Sequence, residues 1–202
     1  MVLPRPHAAC LFSLLAASPA LAQILNPSFE SPALADGGFT RTTPSWTGFG
    51  DAGILNPSTS MFPGEADDGA NVAFLGTTGG AGFLRQALAT TFAANTTYTF
   101  TVRSGRRTDF ANSVVYRLTL LNGTTAVATT QLSNPPIGSF RTDTLTANVL
   151  PGDAAVGRPI TVAVQLVSGG QLCFDDVDIS SAALCAAVST QPQGGTICPG
   201  GN

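Results

Sequence analysis

Short runs in which apolar and polar residues alternate recur along the chain, and turn-forming residues separate them. The alternation is clearest at residues 98–103, 113–121 and 160–167, where every second side chain is aliphatic or aromatic. A period of two predicts strands with one buried face. The Asn122-Gly123 pair predicts a tight hairpin turn. Roughly nine or ten such runs predict an all-β fold, a two-sheet antiparallel β-sandwich of the jelly-roll type.

The segment 172–180 is predicted to be the last strand, and it carries an unusual acid. Alternation places Cys173, Asp175, Val177 and Ile179 on one face, where Asp175 is the only charged residue. An unpaired buried charge is very costly, and the chain has no Lys that could neutralise it. A calcium ion, which prefers carboxylate and carbonyl oxygens, would solve the problem.

Residues 1–22 have the features of a secretory signal peptide. A short basic region with Arg5 and His7 precedes an apolar run, and Ala20-Leu21-Ala22 fits the small-residue cleavage pattern before Gln23. The sequence thus predicts a secreted, extracellular protein without a membrane span, because the apolar run is too short to cross a bilayer. The predicted sandwich domain covers residues 23–181, and a flexible tail covers 182–202.

Composition argues against several function classes. The formal net charge is −3 and no basic stripe is present, which disfavours nucleic acid as a partner. His7 is the only histidine, so the processed chain could use neither a histidine base nor a histidine zinc site. A glycosidase needs two carboxylates facing each other across a groove, and the spacing of the acids does not predict such a pair. The sequence therefore predicts a protein that is not an enzyme.

Two distant motifs carry a family resemblance. Residues 26–30 (Asn-Pro-Ser-Phe-Glu) and 174–177 (Phe-Asp-Asp-Val) together resemble secreted bacterial galactose-binding-like jelly rolls, a group that includes many carbohydrate-binding modules. The resemblance covers about residues 24–180. It implies a structural Ca²⁺ held by Glu30 and by Asp175, the first aspartate of the final strand. Asp68, in an acidic loop, is a third candidate ligand.

The end of the chain carries a second family resemblance and two of the four cysteines, Cys185 and Cys198. Residues 189–202 resemble the truncated start of a bacterial immunoglobulin-like repeat. In the oxidising compartment implied by a signal peptide, Cys185 and Cys198 are the simplest disulfide pair. If a downstream domain exists, Cys198 would instead pair within that domain. Cys173 is predicted to be a buried free thiol.

The predicted function is a secreted, non-catalytic module that binds carbohydrate or another cell-surface polymer. A structural or adhesive extracellular module without a small ligand is the alternative, and a polysaccharide-active hydrolase or lyase is a third possibility. A Thr-rich sheet face is predicted to bind sugar hydroxyls through Arg103, Arg117 and Gln165. The alternative is that threonine occurs there only for its β-propensity. Trp46 and Phe110 could add stacking contacts from loops, with a core position as the alternative for Trp46.

Overall fold

A computed structural model describes residues 23–184, and within this range the chain forms two antiparallel sheets without a helix. The first sheet has the strand order β1-β3-β4-β11-β6-β9, and the second has the order β2-β5-β10-β7-β8. The strands are β1 (Phe39–Thr40), β2 (Thr47–Phe49), β3 (Ala52–Leu55), β4 (Val72–Leu75), β5 (Phe83–Thr91), β6 (Thr96–Gly105), β7 (Val114–Asn122), β8 (Thr125–Ser133), β9 (Phe140–Val149), β10 (Pro159–Gly169) and β11 (Leu172–Ala183). The predicted two-sheet β-sandwich is confirmed.

The core lies between the sheets and is made by the predicted inward faces of the long strands. The inward side chains of β6, β7 and β10 are buried, including the fully buried Tyr98, Phe100 and Tyr116. Burial of a large apolar side chain contributes roughly 1.5–3 kcal/mol. The hairpin at Asn122-Gly123 also forms as predicted, with Gly123 at φ 61° and Asn122 opposite Thr125.

The last strand departs from simple alternation. Its register shifts between Asp175 and Asp178, and Asp176 has φ 43°, which marks a β-bulge. Before the bulge, Phe174 faces the inter-sheet core; Val177 faces the same core after it. Cys173 belongs to a second apolar cluster on the opposite face, with Phe62 and Phe74. The prediction that Cys173, Asp175, Val177 and Ile179 share one face is therefore wrong, because the bulge changes which side each residue faces.

The segment 24–30, which contains the first of the two resemblance motifs, is not a strand. It forms turns instead, with positive φ angles at Asn26 (51°) and Phe29 (57°). Phe29 is nevertheless fully buried in the core. The Val177 amide donates to the Pro27 carbonyl at 3.1 Å, so this segment and the last strand meet as expected.

A buried polar cluster connects the two sheets near β8 and β9. Asp143 is 6 % exposed and accepts hydrogen bonds from the hydroxyls of Tyr116 and Ser104, and from Arg141 Nε at 2.9 Å. Tyr116 belongs to the second sheet, whereas the other three residues belong to the first. Burial, with the adjacent carboxylate, raises the pKa of Tyr116 to about 12.

Some predictions fall outside residues 23–184, and others concern residues within that range. The signal peptide at 1–22 and the Cys185–Cys198 disulfide lie beyond the described residues, so they stay predictions. Cys173 is a buried free cysteine, as expected. No helix within the described range is long and apolar enough to cross a membrane.

Candidate functional site

Five connections cross from one sheet to the other at the same end of the sandwich, and β8–β9 is one of them. The other four are the loops β2–β3, β4–β5, β6–β7 and β10–β11. Strand register brings their ends together, since Leu75 lies opposite Leu172 and Gly105 lies opposite Cys173. Loops on a rigid sheet scaffold are a common location for binding and catalytic residues.

These loops border two adjoining cavities of about 410 Å³ and about 280 Å³. Both cavities are lined by Asp51, Thr78, Arg107 and Gln171, and we call the combined space the end groove. The larger cavity has a size typical of small-molecule sites. Its further lining consists of Gly37, Phe39, Arg41, Leu55, Met61 and Phe74, whereas Gly76, Thr77, Asp109, Phe110 and Gly170 line the smaller one.

A buried carboxylate lies at the base of the groove. Asp51 is 6 % exposed. Its Oδ1 accepts a hydrogen bond from Arg41 Nη2 at 2.6 Å, and its Oδ2 accepts one from the Thr78 amide at 3.0 Å. The carboxylate fits because residue 76 is glycine: a Cβ there would lie 2.3 Å from Asp51 Oδ2. The local chain is thus arranged around this carboxylate.

A second ion pair lines the smaller cavity. Arg107 binds both carboxylate oxygens of Asp109, at 2.8 Å through Nε and at 2.5 Å through Nη2. Its Nη1 donates to Gln171 Oε1 at 3.2 Å. The hydrogen bonds from Arg107 hold the pKa of Asp109 below its ordinary value, and the bonded Asp109 raises the pKa of Arg107. Asp109 is therefore ionised at neutral pH.

Aromatic rings give the end groove apolar walls that remain partly open to solvent. Phe39 is 62 % exposed and Phe110 is 45 % exposed. Phe39 packs edge-on against Phe74 with ring centroids 6.3 Å apart. Exposed aromatic surface beside charged groups in a concave site is suited to a ligand that has both an apolar ring and a polar group.

The five residues predicted to bind carbohydrate do not form one surface. Trp46 is buried at 6 % exposure and packs on Phe29, so it has the core position that was predicted as the alternative to stacking. Arg103 lies on the first sheet and forms a two-bond ion pair with Asp67. On the other sheet, Arg117 and Gln165 are opposite one another and line a separate cavity of about 250 Å³. Only Phe110 belongs to the end groove.

None of the groove residues Phe39, Arg41, Asp51, Arg107 and Asp109 was predicted from the sequence as a site residue. One signal could have identified them. In a chain with only 10 % charged residues, these four charged groups all fall in connections between strands. Connections that carry scarce charges are candidates for function.

The predicted calcium ligands lie around one loop, at residues 67–71. Asp175 is fully buried and its carboxylate accepts hydrogen bonds from the backbone amides of Asp67, Asp68 and Asp176. Burial raises the pKa of Asp175 to about 8, against the opposing effect of these amides. Glu30 Oε1 accepts from two further amides of the same loop. Among residues 23–184, no three His, Cys, Asp or Glu side chains are grouped as a metal site.

Comparison with known proteins provides a family and a set of similar folds. The model of the HpiC1-like family, described as HpiC1 cyclase, matches residues 20–180. A search of curated proteins finds no match. All the structural matches described next are less than 25 % identical to this chain, so they bear on the fold alone.

Two of these structures are cyclases from Fischerella sp. TAU. The first, a Stig cyclase named Fisc in complex with (3Z)-3-(1-methyl-2-pyrrolidinylidene)-3H-indole, is 23 % identical with a TM-score of 0.67, over 81 % of this chain and 98 % of that chain. The second, in complex with 4-(1H-indol-3-yl)butan-2-one, is 24 % identical with a TM-score of 0.69, over 83 % and 100 %. A third structure, TmCBM61 with beta-1,4-galactotriose, is 16 % identical with a TM-score of 0.51, over 78 % and 97 %.

The matched family model corrects the functional predictions. The predictions that the protein is not an enzyme, and that it is a non-catalytic module binding carbohydrate or a cell-surface polymer, are wrong, because the model describes a cyclase. Those predictions relied on the missing histidine and on the missing facing acids. Both features are requirements of particular hydrolytic mechanisms, and a ring closure needs neither of them.

Proposed function

Since the chain belongs to the HpiC1-like family, whose model is described as HpiC1 cyclase, we propose that it is a cyclase with its active site in the end groove. The proposed location of the active site is supported by the combination of exposed aromatic rings with charged side chains in one concave site. Phe39 and Arg41 line the larger cavity, and Phe110 and Asp109 line the smaller one.

The proposed substrate class is a small molecule that contains an indole ring. The two Fischerella cyclase structures contain indole compounds. In this chain, the exposed rings of Phe39 and Phe110 would contact such an aromatic system, and stacked or edge-on aromatic pairs contribute about 0.5–1.5 kcal/mol each. Holding a flexible chain folded against its own ring would supply much of the rate enhancement by reducing the entropic cost of closure.

We assign Asp109 the role of base in the ring closure. Closure onto an aromatic carbon forms a carbon–carbon bond and leaves that carbon with a proton to lose. The Asp109 carboxylate is ionised and its side chain is 44 % exposed, so it can accept that proton. A proton from solvent initiates closure at another atom of the same molecule, and the proton that Asp109 accepts returns to solvent. The reaction is then an isomerisation without a co-reactant, and the aromatic walls would stabilise positive charge along its course.

Binding can be tested with 4-(1H-indol-3-yl)butan-2-one by ligand-detected nuclear magnetic resonance and by calorimetric titration. We expect the wild-type protein to bind this ketone and Phe39→Ala to weaken binding by about fivefold to tenfold, the value of one aromatic contact. Phe49→Ala is the matched control, because Phe49 is also exposed (51 %) but is outside the end groove. Equal losses in both variants, or no binding at all, would contradict the proposed site.

Activity is tested by incubating the protein with an indole that carries an alkene side chain. A cyclised product has the same mass as the substrate and a different retention time in liquid chromatography with mass detection. Asp109→Asn should abolish turnover while leaving ketone binding intact, and Asp178→Asn, at an exposed position on β11, should change neither. Full turnover by Asp109→Asn would exclude it as the base.

We also propose that the protein is secreted and that a calcium ion stabilises it, proposals that arise from the sequence. One structural feature supports the calcium site: Asn71 Oδ1 is a buried oxygen without a hydrogen-bond partner among the described residues, and the Asn71 amide donates to Glu30. Glu30, Asp68 and Asp175 would provide carboxylate oxygens, with backbone carbonyls completing a shell of six to eight ligands.

Each of these proposals has a direct test. N-terminal sequencing of secreted protein should begin at Gln23, and a mature chain that starts at Met1 would contradict secretion by the predicted route.

Melting with and without a chelator tests the calcium site, because an ion that binds only the native state raises the stability of that state. An unchanged midpoint in the wild type would exclude a stabilising calcium. Asp175→Asn should remove the calcium-dependent shift.

A further inference from the structure

We infer that Arg41 is a substrate-binding residue of the end groove, and that it selects aromatic molecules with a carboxylate on a short side chain. This inference deepens the proposed function and depends on the same groove. It follows from the difference in exposure between Arg41 and its partner, from the unused donors of Arg41, and from the aromatic ring beside it.

In the ion pair between Arg41 and Asp51, the cation is the accessible member. The Arg41 side chain is 53 % exposed, whereas that of Asp51 is 8 % exposed. The Thr78 amide donates a hydrogen bond to the Asp51 carboxylate, and the lack of a Cβ at Gly76 leaves space for that carboxylate. A ligand in the larger cavity therefore meets a guanidinium whose position is already fixed by a buried anion. Such preorganisation reduces the cost of ordering a long side chain on binding.

Arg41 also has hydrogen-bonding capacity to spare. A guanidinium has five N–H donors, and within residues 23–184 that of Arg41 makes one hydrogen bond, from Nη2 to Asp51. The other guanidinium in the groove differs. Arg107 makes three hydrogen bonds, two of them to Asp109, and its side chain is only 20 % exposed. The free donors that suit a carboxylate are thus concentrated on Arg41.

An aromatic wall lies directly beside this donor. The Arg41 guanidinium carbon is 5.9 Å from the centroid of the Phe39 ring, and both residues line the larger cavity. If the aromatic ring of a ligand packs on Phe39, an acceptor group joined to that ring by a short side chain would therefore reach Arg41. This separation defines the substrate class as an aromatic ring joined to an anionic acceptor by a few atoms.

The chain provides a matched control in Arg85. Its guanidinium lies over the Phe49 ring at 5.4 Å from the centroid, nearly the same arrangement as Arg41 over Phe39. Arg85 is not part of the end groove, and it forms no ion pair among the described residues. Arg85→Gln removes a comparable surface cation from a site that should not bind the ligand.

The test compares ligands that differ in charge, by calorimetric titration of the full chain. The ligands are indole-3-butanoate, 4-(1H-indol-3-yl)butan-2-one, 3-(1H-indol-3-yl)propan-1-amine and, without an indole, 4-phenylbutanoate. We expect the wild type to bind indole-3-butanoate about tenfold more tightly than the amine, as a charge-assisted hydrogen bond at a half-exposed site allows. Arg41→Gln should remove this preference, Arg41→Lys should retain part of it, and Arg85→Gln should leave it unchanged.

The outcomes separate this inference from the proposed function. Equal binding of the acid and the amine by the wild type, or an undiminished preference in Arg41→Gln, would overturn the role of Arg41. If the ketone fails to bind but 4-phenylbutanoate binds in an Arg41-dependent way, the indole substrate class is refuted and the role of Arg41 stands. The preference of the wild type should also weaken as salt is raised, a measurement that does not depend on any variant folding.

Discussion

Replacing Gly76 with alanine should disturb the end groove through one defined contact. The added Cβ would lie 2.3 Å from Asp51 Oδ2 and 3.0 Å from Asp51 Cγ, which is closer than nonbonded atoms can approach. The carboxylate can avoid the methyl group only by moving. Movement costs it the hydrogen bond from the Thr78 amide and displaces the ion pair with Arg41.

The size of the effect follows from these contacts. Overpacking of a filled site costs about 1–3 kcal/mol. Loss of the amide hydrogen bond to a buried carboxylate adds about 1 kcal/mol, and the contribution of the half-exposed Arg41 is small. The sum is roughly 2–4 kcal/mol, which lowers the melting temperature by roughly 5–15 °C for a domain of this size. A typical domain with a stability of about 5–15 kcal/mol remains folded after such a loss.

The assay is thermal melting by circular dichroism in a double-mutant cycle. In an Asp51→Ala background no remaining atom lies closer to the added methyl group than the residue 51 Cβ, at an ordinary contact distance of 3.6 Å. Gly76→Ala should then cost less than about 1 kcal/mol, a strong positive coupling between the two sites. Gly64→Ala is the matched control, because nothing lies within 4 Å of a Cβ at that position.

Equal lowering of the melting temperature by Gly76→Ala in both backgrounds would refute a clash with the Asp51 carboxylate. That result would mean that the methyl group clashes with something other than the carboxylate. A functional measurement gives a second check. If the carboxylate orients Arg41, Gly76→Ala should also reduce the preference for indole-3-butanoate over the amine, whereas Gly64→Ala should leave that preference intact.

Three further predictions concern other parts of the chain. Arg107→Gln removes the hydrogen bonds that lower the pKa of Asp109, so the acidic limb of the pH–rate profile for cyclisation should move to higher pH; an unmoved limb would mean that Asp109 is not the base. Burial raises the pKa of Cys173 to about 12, so peptide mapping should find it alkylated by iodoacetamide only after denaturation. Arg141→Gln leaves Asp143, which is 6 % exposed, without its cation, and denaturant titration should show a loss of about 2 kcal/mol; an unchanged midpoint would contradict this.

The fold was predictable wherever a strand alternates without interruption. In β6 and β7 the alternation alone identified the buried apolar side chains, whereas in β10 Thr161 and Ala163, on the face predicted to point outward, are buried as well. The prediction failed where backbone geometry overrides the pattern. The bulge after Asp175 leaves no mark in the order of apolar and polar residues, and the turn at Asn26 depends on a positive φ angle that a short apolar segment does not predict.

The candidate site was less predictable because it is assembled from distant connections. Arg41 and Asp51 precede Arg107 and Gln171 by more than fifty residues, and only the strand order brings them to one end of the sandwich. The burial of Asp175 was predicted correctly, but its observed partners are backbone amides. Those donors are present at almost every residue, so sequence reasoning could not single them out.

The four loops that border the end groove also separate the part of the molecule that determines its shape from the part that would determine what it binds. Each loop begins and ends at a strand whose register is set by pairing elsewhere, as at Leu75 with Leu172 and Gly105 with Cys173. A loop can therefore change in length or composition without moving a ladder hydrogen bond. Exchange of single loops between related cyclases would be a practical route to new substrate ranges, and the sheets beneath would tolerate many such exchanges.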